Sequence, residues 1–157
     1  MEVIPMEVRL SLSPPRRTTY RVSDPTLIGV HRLLDARPEW RRYSGTLQCR
    51  PAAARITVSL RPLIELPEWP EYRAASSADQ RIWDQMIRAL SQHEDNHHAI
   101  SLRLINDFKA DVERATTPMD RRTMRRRCVQ LTRDHVAEQQ AYDRRSAHGA
   151  NEGVSLP

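Results

Sequence analysis

The segment His93-Glu94-Asp95-Asn96-His97 contains the residues best suited to chemistry in this sequence. Its histidines are four residues apart, so on a helix both imidazoles leave the same face about one turn apart. Two ring nitrogens spaced in this way can bind one metal ion. The carboxylate of Glu94 can take a proton from a water on that metal. The segment therefore predicts a zinc site with Glu94 as general base, and a pair of core histidines satisfied by hydrogen bonds is the alternative.

A catalytic zinc ion usually has three protein ligands and one open position, so this site needs one more residue. His98 points about 100° away around the helix, which makes it a poor ligand. Ile100 and Arg103 stand where one large class of zinc peptidases has glycine and histidine, and that class is excluded. The candidates that remain for the third ligand are His135, His148, Glu113, Glu138 and Asp143.

Two long helices are predicted to position these residues. The first runs from about Ser77 to Arg114, with Ser77 or Asp79 as its cap. A second helix begins at Thr117-Pro118 and continues to about Arg145, before Gly149. The first helix is amphipathic, and its inward stripe has a spacing of three and four residues: Met86, Leu90, His93, His97, Ile100, Leu104 and Phe108.

The first half of the chain shows the patterns of strands and turns. The predicted strands are Val8–Leu12, Thr18–Val22, Tyr43–Arg50 and Arg55–Leu60. A short helix is expected from Pro25 to Ala36 with Asp24 as N-cap, and an extended connector from Pro62 to Pro70. Residues 1–157 are expected to form a single domain, with strands and turns in 1–70 and helices in 77–148.

We therefore expect an α+β fold, in which a small, mostly antiparallel sheet from residues 1–60 packs on two long helices. The chain has 157 residues and a net charge of +5. Its sequence contains no run of about 18 apolar residues, so no membrane span is expected. Met1 to Pro5 lack the features of a signal peptide, which leaves either a cytoplasmic protein or a removed leader.

The basic residues concentrate in one run, which could bind an acidic partner. We interpret it as a solvated helix face, because no aromatic side chains interleave with it to stack bases, and we do not expect a nucleic-acid partner. The arginines of this run are Arg121, Arg122, Arg125, Arg126 and Arg127. Cys49 and Cys128 are the only cysteines, and either one disulfide or two buried thiols is compatible with the count.

Two motifs in the second half resemble a known bacterial family, DUF922, described as secreted zinc-dependent proteases. Trp83 with Leu90–His97 is similar to its metal helix, and Gln139–Gly149 is similar to its closing Tyr-Asp-x-x-Thr-x-His-Gly motif, although Ser146 replaces the threonine. Earlier matches are Tyr20-Arg21-Val22 and Leu66-Pro67-Glu68-Trp69. The resemblance covers most of the chain and implies a zincin-like peptidase acting on protein or peptide substrates.

This resemblance implies His148 as the third zinc ligand, in agreement with its place just past the second helix. Tyr142 could then donate its phenol to the oxyanion, or merely pack at the boundary. Asp143 could accept the second N–H of a ligating histidine, or pair with a neighbouring arginine. The family also implies a Cys49–Cys128 disulfide and export to the periplasm or the medium.

The hypothesis is a zinc-dependent peptidase in which His93, His97 and His148 bind Zn²⁺ and Glu94 is the general base. Two other functions stay open. One is a catalytically silent zincin-like binding module with a structural or vestigial metal site. The other is a basic nucleic-acid-binding protein in which the histidines are incidental.

Overall fold

The computed structural model describes residues 6–37 and 42–157, so Met1 to Pro5, where no signal peptide is predicted, lie outside the described residues. The four strands and the short helix α1 lie in the first half of this part and the two long helices in the second, which confirms an α+β chain. The elements are β1 (Glu7–Leu12), β2 (Arg16–Arg21), α1 (Leu27–Asp35), β3 (Arg42–Pro51), β4 (Arg55–Glu68), a 3-10 helix (Pro70–Ala74), α2 (Ser77–Glu113), α3 (Arg121–Ser146) and a second 3-10 helix (Ala150–Glu152).

The sheet is centred on β4, and the predicted antiparallel arrangement is wrong. Residues 7–12 of β1 lie parallel to residues 55–60 of β4, and residues 16–21 of β2 lie parallel to residues 63–68. β3 also pairs with β4. Apolar and polar residues alternate with a period of two in parallel and antiparallel strands alike, so the alternation did not reveal how the strands pair. The chain between β2 and β4 includes α1 and β3 and is long enough for a parallel return.

β4 continues through the segment predicted as a connector. Every second residue from Ile56 to Ile64 is buried, and Pro62 occupies one of these inward positions. Its second half pairs with β2 as far as Glu68. The prolines indicated a break in the strand, but a proline costs a strand only the hydrogen bond that its own N–H would make.

The cap of α1 also differs from the prediction. Thr26, rather than Asp24, is the N-cap, and its side chain accepts a hydrogen bond from the backbone N–H of Gly29 at 3.0 Å. Asp24 instead accepts hydrogen bonds from the backbone N–H and the hydroxyl of Thr26, both at 2.8 Å. The bond from the backbone N–H is the larger cause and the bond from the hydroxyl the second, and both lower the pKa of the Asp24 carboxyl.

The two long helices begin at other caps than those predicted. The hydroxyl of Ser76 accepts from the backbone N–H of Asp79 at 3.1 Å, one residue before the expected cap of α2. Asp120 accepts from the backbone N–H of Thr123 at 2.7 Å, so α3 begins after Asp120 rather than at Thr117. Several cap-forming residues precede each helix, and the sequence alone did not rank them.

The described chain divides into two compact units, each assembled from three segments. Of the described residues, the first comprises 6–15, 45–62 and 98–140, and the second comprises 16–44 without 38–41, 63–97 and 141–157. Strands and both long helices supply the buried core of the first unit, whereas α1, α2 and connecting residues supply that of the second. The core of the first contains Val8, Leu47, Ile56, Val58, Leu60, Ile105, Val112, Met124, Cys128 and Leu131. The core of the second contains Val22, Leu27, Val30, Leu34, Trp69, Trp83, Met86, Leu90 and Val154.

Cys49 and Cys128 form a disulfide inside the first unit, with their Cα atoms 5.3 Å apart. It joins β3 to α3 across 79 residues of sequence. Of the two states that the cysteine count left open, the structure therefore has the disulfide. None of the helices in the described residues has the length and apolar character needed to cross a membrane.

Candidate metal centre

The parts of α2 and α3 that belong to the second unit bring the candidate residues together. α2 presents His93 and His97 one turn apart, and both side chains are buried, with 1% and 5% exposure. The last turns of α3 present Tyr142 and Asp143. On the other side of α2, Arg17 of β2 forms a partly exposed ion pair with Asp95.

Three potential ligand atoms converge at this point. Nε2 of His97 lies 3.2 Å from Nε2 of His93 and 2.9 Å from Oδ1 of Asp143. Nε2 of His93 lies 3.3 Å from the same carboxylate oxygen. Among the residues that the structure describes, these three form the one cluster of at least three histidine, cysteine or acidic side chains with the spacing of a metal site.

The spacing of these atoms fits a small tetrahedral ion. Zinc binds imidazole nitrogen and carboxylate oxygen at about 2.0–2.2 Å, so two ligands of a tetrahedral zinc ion lie about 3.3 Å apart. The three separations here are 3.2, 2.9 and 3.3 Å. Two nitrogens and one carboxylate oxygen also match the ligand types of catalytic zinc sites. The residues present therefore fit a bound zinc ion.

Glu152 completes the surroundings of His93. Its Oε1 lies 2.7 Å from Nδ1 of His93, and its Oε2 accepts a hydrogen bond from the Tyr142 hydroxyl at 2.6 Å. The side-chain amide of Asn96 donates to the same hydroxyl at 2.9 Å. Burial opposes ionisation of Glu152, but the hydrogen bonds from Tyr142 and His93 outweigh it and lower the pKa of this carboxyl.

Glu94 is also enclosed, with 1% exposure, directly after the first histidine. Burial, helped by the charges of nearby carboxylates that include Glu94, raises the pKa of Tyr20 to about 12. Burial and the hydrogen bond to Glu152 raise the pKa of Tyr142 to about 12, and the charge of Glu94 adds to this effect. Glu94 therefore lies near Tyr142, and Tyr142 keeps its proton at neutral pH.

Aromatic rings cover the two histidines. Tyr142 stacks on His93, with ring centroids 4.9 Å apart, and meets His97 edge to face at 4.8 Å. Tyr43, at the start of β3, lies parallel to the His97 ring at 5.8 Å. These contacts restrict the rotation of both imidazoles, so their ring nitrogens stay directed at the cluster.

His148, expected as third ligand, is placed outside this cluster. Its side chain is 68% exposed, and its Nδ1 lies 3.8 Å from Oδ1 of Asp143. In the cluster that the structure shows, the third potential ligand atom belongs to Asp143, which was expected as the partner of a ligand. His135, Glu113 and Glu138, the other candidates, belong to the first unit and not to this cluster.

Glu152 and Tyr43 were missed by the sequence analysis, and Asn96 was indicated only weakly. Asn96 lies inside the motif, three residues after His93, where a helix places it on the same side. Glu152 reaches His93 because the chain reverses after α3, through left-handed residues at Ala147, His148 and Gly149. Only the glycine among these three is a usual marker of that conformation.

Comparison with known proteins identifies a family but no activity. Residues 16–149 match the family described as "Bacterial protein of unknown function (DUF922)". A comparison with curated proteins finds no significant match, and neither does one with solved structures. The match includes α2 and the end of α3, and it stops three residues before Glu152. Because it spans most of the 157 residues, the chain belongs to the DUF922 family.

Proposed function

We propose that this protein is a zinc-dependent peptidase with a zincin-like site, in which His93, His97 and Asp143 hold the ion. The observation that supports this proposal is the convergence of two imidazole nitrogens and one carboxylate oxygen within 2.9–3.3 Å of one another. Imidazole and carboxylate ligands beside a glutamate suited to hydrolysis favour zinc over softer or harder metals. A bound zinc ion would act as a Lewis acid and lower the pKa of a water at its open position.

Glu94 is the proposed general base. Its carboxylate takes one proton from the attacking water, and the water oxygen forms a bond to the carbonyl carbon of the substrate. The C–N bond then breaks, and Glu94 passes the proton to the leaving amine nitrogen. Water and one peptide bond thus give one carboxyl and one amine. The position of Glu94, buried next to His93 and near Tyr142, supports this role.

For Tyr142 we propose a positioning role instead of the expected contact with the oxyanion. A phenol has one hydrogen to donate, and here it goes to Glu152 at 2.6 Å. The ring also stacks on His93. Tyr142 therefore holds His93 and Glu152 in place, and it would have to leave Glu152 before it could donate to a substrate.

The proposed substrates are proteins or peptides, and the proposed compartment is an oxidising one. The Cys49–Cys128 disulfide supports the second point, because disulfides persist mainly outside the cytosol. The five arginines of residues 121–127 are exposed on α3, as a solvated helix face requires. We do not propose a nucleic-acid function.

Replacing Glu94 tests the proposed reaction. Glu94→Gln keeps the shape of the side chain and removes the base, so we expect zinc to stay bound while hydrolysis falls by about 10²–10⁴-fold. The measurement is cleavage of labelled casein and of a mixed peptide library by zinc-loaded wild type and variant, with zinc content determined in both samples.

The control is Asp95→Asn, which removes the neighbouring carboxylate on the same helix. Asp95 is 42% exposed and pairs with Arg17, so this variant should keep most of the hydrolytic activity. If zinc-loaded wild type cleaves nothing, or if Glu94→Gln cleaves equally well, the peptidase proposal is wrong. A tightly bound zinc ion without hydrolysis would instead indicate a binding module.

A further inference from the structure

Glu152 occupies the position of an outer-shell partner to the metal ligands. Histidines that bind a metal usually donate their other N–H to a carboxylate, which fixes the tautomer and the ring orientation. Nε2 of His93 is directed at the cluster, and its Nδ1 lies 2.7 Å from Oε1 of Glu152. With the proton on Nδ1, the lone pair of Nε2 is available to a metal.

The C-terminal segment of residues 147–157 brings Glu152 to this position. Gly149 has a φ of +88°, and a Cβ atom there would lie 3.3 Å from Cγ of His93 and 2.7 Å from a methyl group of Val154. Val154 is fully buried in the core of the second unit. The carbonyl oxygen of Pro157 lies 2.6 Å from Nδ1 of His31 on α1. The segment is therefore attached at several points, and Glu152 is held between them.

Two further residues fix the Glu152 carboxylate. Tyr142 donates its hydroxyl hydrogen to Oε2, and Asn96 donates to the oxygen of that same hydroxyl. Both carboxylate oxygens of Glu152 therefore have a partner: Oε1 contacts Nδ1 of His93, and Oε2 accepts the hydrogen bond from Tyr142. A surface carboxylate without a role at the site would not need two directed partners from two different helices.

We propose that Glu152, a residue outside the family match, is a positioning residue of the metal centre: it accepts the Nδ1–H of His93 and thereby presents Nε2 of His93 to zinc. This inference rests on the proposed zinc site. It does not depend on hydrolysis, because it predicts the zinc affinity of the protein and the tautomer of His93, and both can be measured without a substrate.

The main experiment measures zinc affinity by competition with a chromophoric chelator. Loss of an outer-shell partner weakens metal binding by about 10–100-fold, so Glu152→Ala should raise the zinc Kd by that factor. Glu152→Gln keeps an acceptor oxygen of the same shape and should restore part of the affinity. The matched control is Asp35→Asn, which removes the carboxylate of another histidine pair, His31–Asp35 at 3.1 Å, and should leave the zinc Kd unchanged.

A second measurement separates positioning from a loss of fold. In the zinc-free protein, the two-bond ¹H–¹⁵N spectrum of the imidazoles should show His93 protonated on Nδ1 in wild type and shifted toward the Nε2-protonated tautomer in Glu152→Ala. Thermal unfolding of each variant shows whether it is folded. If Glu152→Ala is not folded, Glu152→Gln replaces it in both measurements. An unchanged zinc Kd or an unchanged tautomer in the folded variants overturns the proposal.

The outcomes for this proposal and for the peptidase can be told apart. A wild type that binds no zinc overturns both. A wild type that binds zinc through Glu152 but cleaves no substrate overturns the peptidase and leaves the role of Glu152 intact. Conversely, if the protein is a Glu94-dependent peptidase and its zinc Kd is the same with and without the Glu152 carboxylate, only the proposed role of Glu152 is overturned.

Discussion

His93 has a different partner at each ring nitrogen. Nε2 faces His97 and Asp143, and Nδ1 faces Glu152. A buried imidazole satisfied only by neighbouring side chains was the alternative to a metal ligand, and such a histidine needs one donor and one acceptor. Here the Nε2 side meets another ring nitrogen and a carboxylate oxygen at one point, which is the arrangement that a cation fills best.

His135 shows what a buried histidine without such a cluster looks like. It is 6% exposed, and its Nε2 lies 2.7 Å from the hydroxyl of Ser101, itself fully buried. Gln139 also donates to Ser101 at 2.9 Å. Burial lowers the pKa of His135, so the folded protein holds this ring neutral.

We expect His135 to make stability depend on pH. Its pKa is lower in the folded than in the unfolded state, so below the unfolded value of about 6.5 the unfolded chain binds more protons. The stabilising contribution is therefore complete above that pH and is lost as the pH falls through the folded pKa. In zinc-free protein, His135→Gln should show a smaller loss of unfolding free energy between pH 7 and pH 5 than wild type does, as measured by urea unfolding.

An equal pH dependence in His135→Gln and wild type would contradict the account of a neutral, buried imidazole.

The sequence predicted part of the site because those residues share one helix. His93, Glu94 and His97 are close in sequence, and the helical period alone places them together. The proposed third ligand, Asp143, lies on another helix, only five residues before His148. Which of them faces α2 depends on where α3 ends and how the chain then turns, and the spacing of residues does not contain that information.

At the scale of elements, the end of α3 decides the shape of the site. Ala147 and His148 have φ values of 49° and 53°, and Gly149 follows at +88°. These left-handed residues turn the chain back, with the backbone N–H of His148 donating to the carbonyl of Asp143 at 2.8 Å. The same reversal leaves the His148 side chain exposed and returns Glu152 to His93.

Gly149→Ala tests this reversal. A left-handed φ and a Cβ atom 2.7 Å from Val154 and 3.3 Å from His93 should together destabilise the protein by about 1–3 kcal/mol. Because the strained residue touches His93, zinc binding should weaken as well. Urea unfolding and the chelator competition measure the two effects.

Gly153→Ala is the matched control, since Gly153 has a φ of +94° but its added Cβ would meet only Ala89, at 3.5 Å. It should show the cost of the backbone conformation alone and little effect on zinc. If Gly153→Ala weakens zinc binding as much as Gly149→Ala does, close packing at Gly149 is not what shapes the site.

The elements themselves were predictable to different degrees. α2 is observed at 77–113 against a prediction of 77–114, because its period of three and four residues persists over ten turns. The buried face of α2, however, differs from the predicted one in the second half of the helix. Ser101 and Ile105 are fully buried, whereas Ile100 and Leu104 are only partly buried. Apolarity alone did not reveal Ser101, whose burial depends on its contacts with His135 and Gln139.

At the scale of the whole molecule, each unit combines segments from distant parts of the chain. The first unit contains the disulfide, and the second contains the complete candidate metal cluster with Glu152 and Tyr142. Sequence patterns report local structure, so they were enough to locate the strands and helices. They did not reveal the parallel pairing of β1 and β2 with β4, or the division of the chain into two units. Both depend on contacts between residues far apart in sequence.

Zinc content per chain is the measurement that tests the proposed metal centre most directly. Wild type, His93→Ala, Asp143→Ala and His148→Ala would be purified, supplied with zinc, freed of excess and compared by elemental analysis. We predict about one zinc ion per chain in wild type and His148→Ala, and its loss in His93→Ala and Asp143→Ala. Zinc kept by Asp143→Ala but lost from His148→Ala would contradict the ligand set, and no zinc in wild type would contradict the metal centre itself.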